Sequence, residues 1–188
     1  MDGKFGFGLD LDNFVKLGLK VEQELSDKEI AGIVKEAEFQ KILEKLLRFA
    51  MLRPRSEKEI WGWMKRHEVH ESIYNDLFSK LKHLELVGDH KFVSWWIEQR
   101  LSFNHKSKKE LVWELRKKGI NNSLIKETME KFDIDEIKIA RDLIRKKIYR
   151  WETLERNARL KKMSEFLARR GFGWDTIRSA IDDSGEKI

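Results

Sequence analysis

Lys109, Trp113 and Arg116 are the residues best placed to do chemistry in this sequence, and that chemistry is recognition. At 3.6 residues per turn Trp113 stands about 200° round a helix from Leu111, so its indole is partly exposed beside two cations. An aromatic face among cations suits single-stranded DNA, whose bases stack while its phosphates pair. Trp61 is a weaker site of the same kind. Trp63, Trp95 and Trp96 fall on apolar faces and belong in the core. Further cations cluster at Arg53/Arg55/Lys58, Lys106/Lys108/Lys109, Arg116/Lys117/Lys118, Arg145/Lys146/Lys147/Arg150 and Arg169/Arg170, with Arg100 alone. A solvated helix face explains any one cluster, but recurrence at equivalent positions favours a continuous basic stripe.

Catalytic constellations are missing. His67-x-x-His70-Glu71 has helical spacing but lies across a predicted helix end, so its side chains need not converge on a metal. Asp10-Leu11-Asp12 and Asp182-Asp183 lack a partner base, and the serines fall at helix-cap positions. Neither a Gly-x-x-x-x-Gly-Lys-Ser/Thr loop nor a Gly-x-Gly-x-x-Gly helix opening occurs. The expectation is a binding protein, not an enzyme, with no metal and no cofactor.

Composition points to helices. The 188 residues are 40% hydrophobic and 38% charged, a charge load suited to thin helical modules, and they include one proline. The absence of cysteine excludes disulfides and thiolate metal sites and fits a reducing cytoplasm. No apolar run approaches the ~20 residues that span a bilayer, and Met1-Asp2-Gly3-Lys4-Phe5 does not open a signal peptide. A soluble cytoplasmic monomer is expected. The net charge of +6 permits nucleic-acid contact without demanding it.

The elements that must position these cations repeat about every fifty residues. Leu115-Arg116-Lys117-Lys118-Gly119-Ile120 is echoed by Leu167-Ala168-Arg169-Arg170-Gly171-Phe172, and loosely by Met64-Lys65-Arg66-His67-Glu68-Val69. Ser56-Glu57-Lys58-Glu59-Ile60 matches Ser107-Lys108-Lys109-Glu110-Leu111. Gly119 and Gly171 can close helices in the left-handed conformation, with the preceding cations facing the negative end of the helix dipole. Ser26-Asp27-Lys28-Glu29 is a capping box opening a helix to about Leu52, with a possible break near 36–38, and Pro54 ends it. Asp89 is expected as an N-cap.

The fold expected is all-α: tandem three-helix modules in an elongated array, preceded by a short extended segment through Phe5, Phe7, Leu9 and Leu11. The boundaries are 1–52 for the arm and lead helix, 53–102 for repeat 1, 103–148 for repeat 2, and 149–188 for a partial repeat 3 with a polar tail. In repeat 2 the helices are expected at 108–118, 123–132 and 135–148, and in repeat 3 at 151–170 and 174–182. Short helices, tight turns and cations also fit an autonomous helix-turn-helix DNA binder. However, the repeated positions are charged or capping and include no base-reading pair.

Leu52-Arg53-Pro54-Arg55-Ser56-Glu57-Lys58-Glu59 resembles the Arg-Pro-x-Ser-x-x-Glu signature of the RecX family. Leu86-Val87-Gly88-Asp89-His90-Lys91-Phe92-Val93 and Trp96-Ile97-Glu98-Gln99-Arg100 follow in the family's order. Glu114-Leu115-Arg116-Lys117-Lys118-Gly119-Ile120 and Leu17-Gly18-Leu19-Lys20 continue the likeness, which covers about residues 10–182. Gly88 stands where the family usually has aspartate, Val93 where alanine is common, and Ser107 where glycine often occurs. The resemblance implies a regulator that binds the RecA recombinase, chiefly as its filament on single-stranded DNA, and restrains it.

Overall fold

The computed structural model describes residues 11–16, 18–103 and 105–183. They form α1 (Leu11–Lys16), α2 (Asp27–Met51), α3 (Glu57–Arg66), α4 (Tyr74–His83), α5 (Asp89–Phe103), α6 (Lys108–Lys117), α7 (Asn122–Met129), α8 (Glu136–Arg145), α9 (Arg156–Ala168) and α10 (Trp174–Asp182). Short 3-10 turns precede α4 and follow α8. Among the described residues the nearest approach to a sheet is an isolated bridge between Arg55 and Val87.

The capping box at Ser26 is formed. The Ser26 amide donates to Glu29 Oε2 at 2.8 Å, and the Ser26 hydroxyl accepts from the Glu29 amide at 3.4 Å. These bonds satisfy two orphan donors, and α2 then runs unbroken through 36–38. Leu11 begins a helix and not an extended strand, while Phe5, Phe7, Leu9 and the 184–188 tail lie outside the described residues. Asp89 is the first residue of α5 rather than its cap, and its carboxylate is turned to the start of α3.

Three buried clusters hold the helices, each built from apolar residues at three- and four-residue spacing. Leu43, Leu46, Ile60, Met64, Leu77 and Leu81 join α2, α3 and α4. Phe92, Ile97, Leu111, Leu115 and Ile125 join α5, α6 and α7. Ala140, Ile144, Met163, Leu167, Ile177 and Ile181 join α8, α9 and α10. Each fully buried leucine or isoleucine contributes roughly 1.5–3 kcal/mol. The clusters cut the chain one helix away from the periodic boundaries. α5 and α8 close the first and second repeats in sequence, yet each packs into the core that follows it. A period fixes spacing but not phase. Phase is set by which apolar faces meet.

The chain divides into two compact units, one comprising residues up to Arg55 with Glu59–Val87, the other Ser56–Lys58 with Gly88 onward.

The helix ends confirm the three echoes. The Gly119 amide bonds Arg116 O and the Ile120 amide bonds Leu115 O, closing α6 with Gly119 at φ 87°. Gly171 closes α9 the same way at φ 81°. Glu68 takes the equivalent place after α3 at φ 52°, an unfavourable conformation for a residue with a Cβ. At Gly119 a Cβ would stand 2.8 Å from Lys58 Cβ, so glycine is required there twice over. Gly119→Ala is expected to destabilise the second unit by about 2 kcal/mol or more, through strain and overpacking. Glu68→Gly is expected to stabilise the first by about 0.5 kcal/mol, relief of strain slightly exceeding the entropy cost. Urea unfolding followed by circular dichroism checks both signs.

Candidate interaction surface

Within the second unit, the start of one repeat's first helix is bonded to the end of the next repeat's first helix, twice. The Ser56 hydroxyl donates to Lys118 O at 2.9 Å, and the Ser107 hydroxyl donates to Arg170 O at 2.7 Å. Both serines are fully buried. The residue after each serine also repeats its bond. The Glu57 amide donates to Asp89 Oδ1 at 3.0 Å, and the Lys108 amide donates to Glu136 Oε1 at 2.9 Å, so each bond runs to a carboxylate opening a later helix. The next residue, Lys58 or Lys109, lays its aliphatic stem against Gly119 or Gly171. Lys58 Nζ further donates to Lys117 O at 3.2 Å. Ser107 serves as N-cap as well, accepting from the Glu110 amide at 3.2 Å.

This latch gathers cations. It places Lys58 beside Lys117 and Lys118, and Lys109 against Gly171, the residue after Arg170. Between them, Lys109, Trp113 and Lys117 form one exposed stripe on α6 at four-residue spacing, opposite Leu111 and Leu115. Trp113 is 56% exposed, and Lys117 Nζ lies 3.7 Å from its ring centre. Arg116 is turned aside, its Nε donating to Asn122 Oδ1 at 2.7 Å.

Several of the other candidate cations are drawn into the structure. Arg53 holds Glu59 through two bonds of 2.9 Å. Arg55 is buried, with its guanidinium 3.7 Å from the Phe49 ring centre and bonded to Phe49 O, a carbonyl in the last turn of α2. Burial first, and the charge of Arg53 second, depress its pKa. Arg100 lies 4.0 Å from the Trp96 ring centre and donates to Glu114 Oε2 at 2.6 Å. Lys106 pairs with Glu110 and reaches Glu114 at 3.5 Å. Lys118 Nζ stands 5.0 Å from the Trp96 ring centre, and Arg170 lies 4.7 Å from that of Phe166. Exposed Lys146 meets His105 at 3.3 Å, exposed Arg150 donates to the Tyr149 hydroxyl at 3.1 Å, and Lys147 is half-buried. Trp61 stacks on Phe78 at 4.9 Å and is half-buried. His67 Nδ1 meets Trp63 O and His70 Nδ1 meets the Ser72 hydroxyl, so the two rings serve different partners.

Glu114 is the residue that sequence reasoning missed. It receives Trp96 Nε1–H at 2.8 Å together with the Arg100 and Lys106 cations. Burial pushes its pKa up, but the Arg100 and Trp96 hydrogen bonds and the two cations together outweigh burial and hold it below the usual carboxylate range.

Fold and surface together define a helical-repeat protein that presents cations and an exposed indole from a helix hydrogen-bonded at both ends. The family described as "RecX, third three-helix domain" matches residues 134–181, the span of α8–α10. The regulatory protein RecX of Bacillus subtilis is 30% identical across 97% of this chain and 69% of its own length. That of Finegoldia magna is 27% identical over 94% of this chain and 88% of its own. A crystal structure of regulatory protein RecX superposes with a TM-score of 0.73 at 23% identity, covering 97% of this chain and 92% of that one. RecX from Lactobacillus salivarius gives 0.66 at 20% identity, over 78% and 96%. The chain belongs to the RecX family.

Because the Glu114 pKa is depressed, its stabilisation is present above the ordinary carboxylate pKa and fades as pH falls through the folded value. Glu114→Gln is expected to cost about 1–2 kcal/mol at pH 7, the exposed fringe of the site being screened. The deficit relative to the parent shrinks as pH drops below about 4, and unfolding midpoints measured from pH 7 to 3 check it.

Proposed function

We propose that this chain regulates the RecA recombinase by binding its filament on single-stranded DNA and restraining recombinase activity. The observation that carries the proposal is the Lys109–Trp113–Lys117 stripe, held in place by latches at both ends of α6 in a chain of the RecX family. Repeated helices suit a partner that is itself repetitive, because successive modules can meet successive subunits. A protein that binds one filament state better than another shifts the population toward it, and that suffices for inhibition without catalysis. No helix among the described residues is long and apolar enough to cross a membrane.

The exposed indole under a lysine also supports a second reading, an autonomous binder of single-stranded DNA. The two differ in what they need. A DNA binder requires no recombinase and weakens steeply with salt.

The test is RecA ATP hydrolysis on single-stranded DNA with this protein titrated in, beside an anisotropy titration on the bare DNA. Inhibition well below the concentration that coats the DNA is expected. Inhibition only at coating concentrations supports the second reading. Lys109→Glu/Lys117→Glu is expected to raise the half-inhibitory concentration about tenfold or more at unchanged helicity, since both ammonium groups lie at the surface. An unchanged inhibition curve from a folded double variant would remove this stripe from the interface.

A further inference from the structure

Beside the stripe, α6 carries a second row at four-residue spacing, Lys108, Val112 and Arg116, and this row borders a groove of about 580 Å³ against α7. The groove has an apolar floor and a cationic rim. Val112, Ile125, Met129 and Phe132 line the floor, all but Ile125 of them half-buried. Lys108, Arg116 and Lys126 stand round it against a single acid, Glu130. The ammonium groups of Lys108 and Lys126 are exposed, and the Arg116 fork is oriented by its Nε bond to Asn122.

We infer that this groove docks a short acidic peptide segment of a partner protein, one apolar or aromatic side chain seated on the floor and carboxylates paired at the rim. Three considerations select that occupant. The rim carries a net charge of two positives, complementary to carboxylates, and an oriented guanidinium is suited to bidentate capture of one. The floor is mainly aliphatic, with a thioether whose adaptability suits varied side chains. Phe132 is its one ring, half-buried, whereas strands of nucleic acid are held by successive exposed rings. The exposed aromatic of α6 belongs to the other row, so stacking and peptide docking fall on different faces of one helix. The inference does not rest on the recombinase assignment, because any partner bearing such a segment would fit.

The experiment uses the full chain and a fluorescein-labelled twelve-residue peptide of alternating Asp and Glu around a central Phe and Leu, followed by anisotropy. Micromolar binding is expected, together with methyl shifts at Val112, Ile125 and Met129 in NMR spectra. Lys108→Glu/Lys126→Glu is expected to weaken binding about tenfold, as loss of rim charge does at other interfaces. Replacing the peptide's Phe and Leu by Ser is expected to weaken it about as much. Absence of binding at millimolar peptide overturns the inference. So does equal binding by the Ser peptide or by the double variant, since either removes the groove from the interaction. Displacement of the peptide from those methyls by oligothymidylate at lower concentration would assign the groove to nucleic acid instead. None of these readouts involves recombinase, so they stand or fall apart from the inhibition assay.

Discussion

A buried serine hydroxyl reaching across to the carbonyl that ends another helix is the bond on which the second unit depends. It occurs at Ser56 with Lys118 and at Ser107 with Arg170. A helix end leaves carbonyls without partners, and a helix start leaves amides without partners. Here one side chain helps with both. Ser107 accepts from the amide of its own first turn and donates to Arg170 O in the turn that closes α9. Close approach leaves no room for a Cβ at Gly119 and only a tight fit at Gly171, and both residues hold a positive φ, so glycine follows the pair of cations in Lys117-Lys118-Gly119 and Arg169-Arg170-Gly171.

That joint determines which cations are available to a partner. Lysines whose stems pack on the joint glycines are held beside the next repeat's helix end, and Lys109, Trp113 and Lys117 remain exposed along α6. Elsewhere cations are drawn into structure. Arg55 satisfies the end of α2, and Arg53 and Arg100 hold single carboxylates bidentately or beside an indole. Guanidinium groups suit such roles because the planar fork stacks and donates at once. The residues left outward on α6 are mostly lysines, flexible and hydrated, suited to phosphates or carboxylates brought by a partner.

Much of this was legible in the sequence. The helices, the Ser26 capping box and the left-handed glycines follow from local rules that act within one turn. So does the exposure of Trp113. The grouping of helices was not legible, because Leu111 and Leu115 face a core in either phase and only tertiary packing decides between α5 and α8 as their neighbour. The inward turn of Arg53, Arg55, Arg100 and Lys106 was equally hidden: Glu59 and Glu110 stand at equivalent repeat positions, but the cations they hold, Arg53 and Lys106, do not, and the partners of Arg55 and Arg100, Phe49 O and Glu114, carry no repeat signal at all. The joint left one trace: Ser-x-Lys recurs at Ser56 and Ser107, and Gly119 and Gly171 follow at nearly the same offset. Capping explained the serines and dipoles explained the cations, so nothing called for a link between them.

The most direct test of the joint is the stability of Ser107→Gly. Glycine is nearly as good an N-cap as serine, so a serine that only capped α6 would cost a few tenths of a kcal/mol to replace. A serine that also donates to Arg170 O should cost about 1–2 kcal/mol, with faster hydrogen exchange at Gly171 and Phe172. A loss confined to a few tenths, with exchange unchanged at the end of α9, would contradict the account.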